Sequence, residues 1–155
     1  MKKVSPKYEV VVVSISSPLL IGVYKDGILI DKLKSKEKTS DILLKLLMEI
    51  AHKYEYQRVI YTSGPGSYMA IKLTYITLRT LQIIKGIDID GCDAFSLNSE
   101  NPIKAMGKLY FIKEKDTIIT KKFDEAVEQW FELPSMLSEV TILENNRPLY
   151  ILPAV

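Results

Sequence analysis

The chain has 155 residues, 47% apolar and 26% charged, enough for one domain with a sizeable core, or one domain with a small appendage. Its 21 Lys and Arg stand against 19 Asp and Glu, and a net charge of +2 is too balanced to imply a polyanion partner by composition. The single cysteine, Cys92, excludes an internal disulfide and reads as a small buried apolar residue of a reducing compartment.

Lys2, Lys3 and Lys7 precede an apolar stretch over residues 10–24, which imitates a secretion signal. Glu9, Ser14, Ser16, Ser17 and Pro18 break its apolar character, no small-residue cleavage site follows, and it is shorter than the ~20 residues that cross a bilayer. The expectation is therefore strands, in a cytoplasmic protein without membrane contact. Residues 8–15 are β-branched and too few for a helix, the pattern of a strand buried on both faces. Residues 19–25 and 28–33 flank Asp26-Gly27, a dipeptide suited to a two-residue hairpin turn because both positions need positive φ. These three strands form an antiparallel unit, followed by a charged stretch over 32–38.

Thr39, Ser40 or Asp41 caps the next element, since their side-chain oxygens accept from unpaired amides of a first helical turn. Apolar residues at 43, 46, 47, 50, 51 and 54 predict a helix over 39–54 with one wide apolar face. His52 sits among polar neighbours and reads as exposed. A short strand over 58–62 leads into Ser63-Gly64-Pro65-Gly66-Ser67, and a second helix runs from about 67 to 85.

That second helix carries ionic groups only at Lys72, Arg79 and Lys85. Lys72, Tyr75, Ile76, Arg79 and Gln82 share one stripe, and Leu73, Thr77, Leu81 and Ile84 another. A helix apolar on more than one side needs a second surface to pack against. Gly86 ends it, a strand follows over 87–92, and 95–99 is a short helical turn or loop. Beyond a soft boundary near 100–107, strands are expected at 108–113 and 117–121. A short helix capped by Asp124 is expected over 124–131, and final strands at 140–143 and 149–152.

Gly64, Pro65, Gly66 and Ser67 form a strand-to-helix turn whose free amides suit an anion. By itself this is a geometric turn, without the Lys-Ser/Thr ending of a P-loop. In context, residues 59–72 resemble the Gly-Pro-Gly-Ser-Phe-Thr-Gly-x-Arg signature of the TsaB (YeaZ) family, dimerisation subunits of the bacterial machinery that makes threonylcarbamoyladenosine in tRNA. Ala94-Phe95-Ser96-Leu97 looks like the family's Ser-Ser-Leu-Glu region, and residues 148–152 its terminal Pro-x-Tyr strand. The likeness covers residues 8–99, and the remainder loosely.

The resemblance implies an α/β, actin/hexokinase-like (ribonuclease H-like) fold. Its mixed sheet is led by the antiparallel hairpin unit, with residues 1–100 as the first subdomain and 101–155 as a truncated second. It also implies a non-catalytic subunit, without cofactor, that pairs two helices with two of a TsaD-type catalytic subunit. A TsaE-type ATPase docks on the pair, and tRNA is met only through the complex. Carried onto this chain, the partner-binding residues are Tyr68, Met69, Lys72, Tyr75, Ile76 and Arg79, and a symmetric homodimer is expected in isolation.

Departures bear on chemistry. Ser14-Ile15-Ser16 stands where the family has an Ile-Asp-Thr-like run, so Ile15 occupies the place of a carboxylate that organises a metal and phosphates in active members of the superfamily. Tyr68-Met69-Ala70 replaces Phe-Thr-Gly, and Lys72 replaces Arg. The alternative is a small kinase or hydrolase of this fold acting alone, for which the nearest acids are Asp26 and Asp31. A third reading, direct RNA binding, would use Lys2, Lys3, Lys7, Lys32, Lys34, Lys36 and Lys38, but these lack an aromatic platform. With one histidine, no metal site or Ser-His-Asp or Cys-His pair is expected.

Overall fold

The structure, a computed structural model, describes residues 5–151. Strands β1 (Tyr8–Val13), β2 (Leu19–Lys25) and β3 (Ile28–Ser35) form the expected antiparallel unit. Asp26 and Gly27 turn the hairpin with φ of 49° and 83°, and Asp26 Oδ1 also accepts from the Lys7 amide. Helix α1 (Thr39–Lys53) leads to β4 (Tyr56–Gly64), helix α2 (Tyr68–Lys85) to β5 (Asp88–Asp93), and both later strands run parallel to their neighbours. The sheet order is β3-β2-β1-β4-β5.

Alternation along β1 explains its unbroken apolar run. Val10 and Val12 point to the helices, among Leu43, Leu47, Ile71, Leu78 and Leu81. Val11 and Val13 point the other way, among Leu20, Tyr24, Ile60, Leu137 and Val140. Both faces are covered, so neither set of side chains tolerates polarity. Ser14 at the end of the strand shares a buried 2.6 Å hydrogen bond with Thr74 of α2.

The expected cap of α1 is displaced. Lys38 occupies the cap position with no side-chain bond, because Thr39 already has helical geometry. Asp41 instead sits in the first turn, where its charge complements the helix dipole. In α2, Ser67 Oγ faces the Ala70 amide at 3.5 Å, and Gly86 closes the helix at φ 70° with its N–H on the Gln82 carbonyl. A 3-10 turn at Phe95–Leu97 follows β5.

A second antiparallel sheet is built from β6 (Ile103–Met106), β7 (Leu109–Glu114) and β8 (Thr117–Lys122). Ile103 and Phe111 bury against Ala94 and Phe95. Lys113 of β7 donates to Asp93 of β5 at 2.7 Å, an ion pair that ties the two sheets. Strand β6 lies in the stretch read as a boundary, where Asn101-Pro102 masks four strand residues.

Three expectations fail in the last third. No helix forms over 124–131, because tertiary partners claim its backbone donors: Val127 N–H bonds the Tyr110 hydroxyl, Trp130 N–H the Asn98 Oδ1, and Glu132 N–H the Leu97 carbonyl. The strand expected at 140–143 reduces to a bridge between Ile142 and Cys92, with Asp93 N–H on Thr141 and Leu143 N–H on Gly91. The strand expected at 149–152 reduces to one bond, Leu149 N–H to the Ser63 carbonyl, and Leu152 lies outside the described residues. These segments follow the sheet edge without joining its ladder.

Candidate docking face and the glycine turn

β4 carries the chain to Gly64, whose φ of 144° suits glycine alone. A Cβ here would also lie 2.7 Å from the Leu149 carbonyl oxygen. Gly66 is required by space rather than by dihedral, since a Cβ would meet Ile15 Cβ and Cγ2 at 3.0 Å. Ile15 thus rests on the turn, so its apolar side chain, not a carboxylate, faces Gly66.

Beside the turn is a cavity of about 100 Å³ lined by Gly66, Tyr68, Ala105, Phe111, Tyr150 and Ile151 among others. Tyr68 and Tyr150 pack ring to ring at 4.6 Å, and Lys72 Nζ lies 5.8 Å from the Tyr68 centroid. This lining offers an anion no cation within the cavity. Desolvating a phosphate against it would cost more than the few turn amides return.

Several charged side chains elsewhere have structural partners. Arg58 on β4 binds Glu9 on β1 and Asp90 on β5, its Nε donating to Glu9 at 2.6 Å and Nη1 to Asp90 at 3.0 Å. Burial alone would lower the Arg58 pKa, yet its bonds to Asp90 and Glu9 hold it above the ordinary value. Asp26 serves the hairpin, and Asp31 receives Tyr54 and Lys53. Cys92 is buried, and its thiol is pushed up to about 12, first by desolvation and then by Asp93, so it is no nucleophile at neutral pH. His52 is exposed near the end of α1, as expected. Among the described residues no three His, Cys, Asp or Glu side chains are grouped to hold a metal.

Lys32, Lys34, Lys36 and Lys38 are exposed along and just beyond β3, an edge strand of the first sheet. Lysines there block edge-to-edge pairing, a sufficient reason for the run. Lys2 and Lys3 lie outside the described residues.

Helix α2 presents the arrangement of most interest. Ile71, Thr74, Leu78 and Leu81 face the sheet and are buried. On the opposite side Met69 is 69% exposed, Ile76 51% and Ile83 84%. These three recur every seven residues, so they form one line along the helix. Tyr68, Lys72 and Arg79 are exposed beside it. Tyr75 differs from its predicted companions, because it is half-buried and its ring stacks on Tyr61 at 6.1 Å. Ile83 was missed by sequence reasoning, although the seven-residue step from Met69 through Ile76 leads directly to it; Ile84, read on the second apolar stripe, is exposed as well. Leu44 adds exposed apolar area on α1, which packs beside α2.

No helix of the described residues is long and apolar enough to cross a membrane. The sequence matches no family model and no curated protein at a significant level. Solved structures do match. YeaZ from Pseudomonas aeruginosa superposes with a TM-score of 0.61 at 6% identity, over 81% of this chain and 72% of that one. An uncharacterized protein with similarity to peptidase YeaZ from Pseudomonas aeruginosa gives 0.60 at 6% identity, over 80% and 70%. With its mixed sheet and two helices, the chain has the α/β fold of YeaZ.

Proposed function

We propose that this protein is a TsaB-like, non-catalytic subunit that docks through α1 and α2 onto a TsaD-type catalytic subunit, supporting formation of N6-threonylcarbamoyladenosine at position 37 of tRNA. The observation that carries the reading is the exposed line Met69, Ile76 and Ile83 on a helix whose other face is already buried. Such a line has the geometry of a helix seam awaiting a facing helix, and leaving it in water forfeits about 25 cal/mol per Å² of apolar surface. The likeness to YeaZ in fold and the glycine signature are what favour a TsaD-type partner in this reading. An actin/hexokinase-like descent agrees with the sheet order and with α1 and α2 lying together. On this reading the protein is cytoplasmic, a TsaE-type ATPase joins the pair, and tRNA is met through the complex. Residues 1–100 carry the docking helices and 101–155 the reduced second subdomain.

The non-catalytic part of this reading is supported by Ile15 against Gly66 and by the buried Cys92 thiol. The competing kinase or hydrolase reading, including the peptidase named for one structural neighbour, requires a side chain able to carry that chemistry at the turn. Calorimetry with Mg-ATP and the isolated chain separates the two, with no heat of binding expected. The docking reading is tested by mixing the chain with a TsaD-type protein and measuring mass by light scattering. A one-to-one complex is expected, and two unassociated species at micromolar concentration would sink the idea.

A further inference from the structure

Trp130 is the single tryptophan of the chain and is 56% exposed. A large aromatic left in water forfeits much apolar burial, and one mounted on a fixed stretch of chain is the usual anchor of a contact surface. This stretch is fixed on both sides of the ring. The Trp130 N–H bonds Asn98 Oδ1, and the Glu132 N–H bonds the Leu97 carbonyl at 3.0 Å. Asn98 is fully buried, and its amide donates to the Asn101 and Pro102 carbonyls. The aromatic wall therefore stands before any partner arrives, and little ordering remains to oppose binding.

An open groove of about 340 Å³ runs beside the ring. Leu97, Leu133 and Pro134 give it apolar lining, Glu132 and Glu139 give it charge, and no Lys, Arg or His lines it. Neither carboxylate enters an ion pair among the described residues. The cations of adjoining surfaces do not change that sign. Lys32 and Lys34 of β3 border a second cleft with Glu132 without pairing with it. Lys113 is held by Asp93 and Glu100.

We propose that this groove docks an arginine-bearing extended segment of a second protein. A guanidinium is planar, so it can lie on the indole face while its N–H fork donates to a carboxylate. Its methylene stem covers apolar lining at the same time. An anionic ligand would meet Glu132 and Glu139 with no counter-charge, and a purely apolar one would strip their water without return. The groove exceeds the space of one side chain and takes flanking backbone as well. The chain as a whole carries +2, so the attraction is a property of this place and not of net charge. Leu97 and Leu133 belong to the core on the sheet face turned away from α1 and α2. A segment held here leaves both helices free, and the inference stands apart from the docking reading.

The lone tryptophan makes the test direct. The full chain is titrated with an acetylated seven-residue peptide of alternating alanine and arginine while indole emission is followed. A second peptide carries citrulline, the neutral isostere, in place of each arginine. The arginine peptide is expected to shift the emission to saturation and to bind roughly tenfold or more tightly than the citrulline peptide, with the gap narrowing in high salt. Anisotropy of a fluorescein-labelled arginine peptide then reads the variants, with circular dichroism to check folding. Trp130→Leu and the double variant E132Q/E139Q should each weaken binding roughly tenfold or more. Glu114→Gln, on the exposed hairpin of the second sheet, should leave it unchanged. A smaller difference between the two peptides on the wild-type chain would overturn the inference whether or not a variant folds. So would a folded Trp130→Leu that binds like wild type, or arginine amide alone binding as tightly as the peptide, which would make this a site for a small cation. No TsaD-type protein is present, so failure here and failure of that complex are separate results.

Discussion

Gly64 is where a single atom does most harm. An added Cβ would meet the Leu149 carbonyl oxygen at 2.7 Å and its Cβ at 2.8 Å, on a backbone that L side chains rarely adopt. The atoms met, a carbonyl oxygen and a Cβ, are fixed to the main chain of Leu149 and have little freedom to yield. Gly64→Ala is therefore expected to cost about 2–3 kcal/mol, read as a lower denaturant midpoint at unchanged slope. Lys113 gives a prediction with a sign. Its hydrogen bond to Asp93 is the chief cause that raises its pKa above 10.5, outweighing partial burial. A base whose folded value is raised stabilises fully below its unfolded pKa and loses that contribution as pH climbs through the folded one. Stability from this tie should thus be flat across neutral pH and decline above about 10.5. In Lys113→Met, the part of the alkaline decline due to this pair should be gone, as pH-dependent urea melts would report. Neither effect was legible in the sequence: Gly64 read as a turn glycine, but its neighbour lies 85 residues away, and nothing local pairs Lys113 with Asp93.

At the scale of elements, the seven-residue line on α2 separates packing from docking. Ile83 is 84% exposed, so Ile83→Ser should change stability by no more than about 0.5 kcal/mol. If the line is the partner seam, the same substitution should weaken the TsaD-type complex by roughly tenfold or more. Leu78→Ser on the buried face should do the reverse, lowering the melting temperature first. Chemical denaturation and titration calorimetry on both variants check the crossing pattern. Elements with strong local signals were readable: the Asp26-Gly27 hairpin, the two helices and the strand into the glycine turn stand within a few residues of expectation. Their periodicity is imposed by burial on both faces of one sheet. Residues 124–131 were misread because Val127, Trp130 and Phe131 imitate helical spacing while the backbone N–H groups of Val127 and Trp130 bond the Tyr110 hydroxyl and Asn98 Oδ1. β6 escaped because four residues beside a proline carry too little pattern.

The whole molecule is closed by a segment with almost no regular structure. Ser135 and Leu137 bond the β3 hairpin, Thr141 and Leu143 run along β5, and Leu149 reaches the glycine turn. Two buried tyrosines pin it from the sheet, Tyr24 donating to the Pro134 carbonyl and Tyr61 to the Asn146 carbonyl, both at 2.6 Å. Phe131, Leu133, Leu137 and Val140 cover the sheet face opposite the helices. Deleting residues 132–151 is expected to bare that face and both edges together, replacing one cooperative transition with a broad melt and dye-binding, checked by calorimetry and fluorescence. Such a segment was illegible because its order comes from surfaces made as much as 85 and 110 residues earlier, not from its own pattern.

That wrapping has a consequence for timing. The ribosome finishes α1 and α2 well before it makes the chain that roofs the far side of their sheet. A nascent protein therefore shows its greasy line while its platform is still half built, when a partner could seize an unfinished copy. If the platform stays pliant until the closing stretch emerges, assembly is reserved for completed molecules, and the least regular part of the protein decides when the most regular part becomes usable.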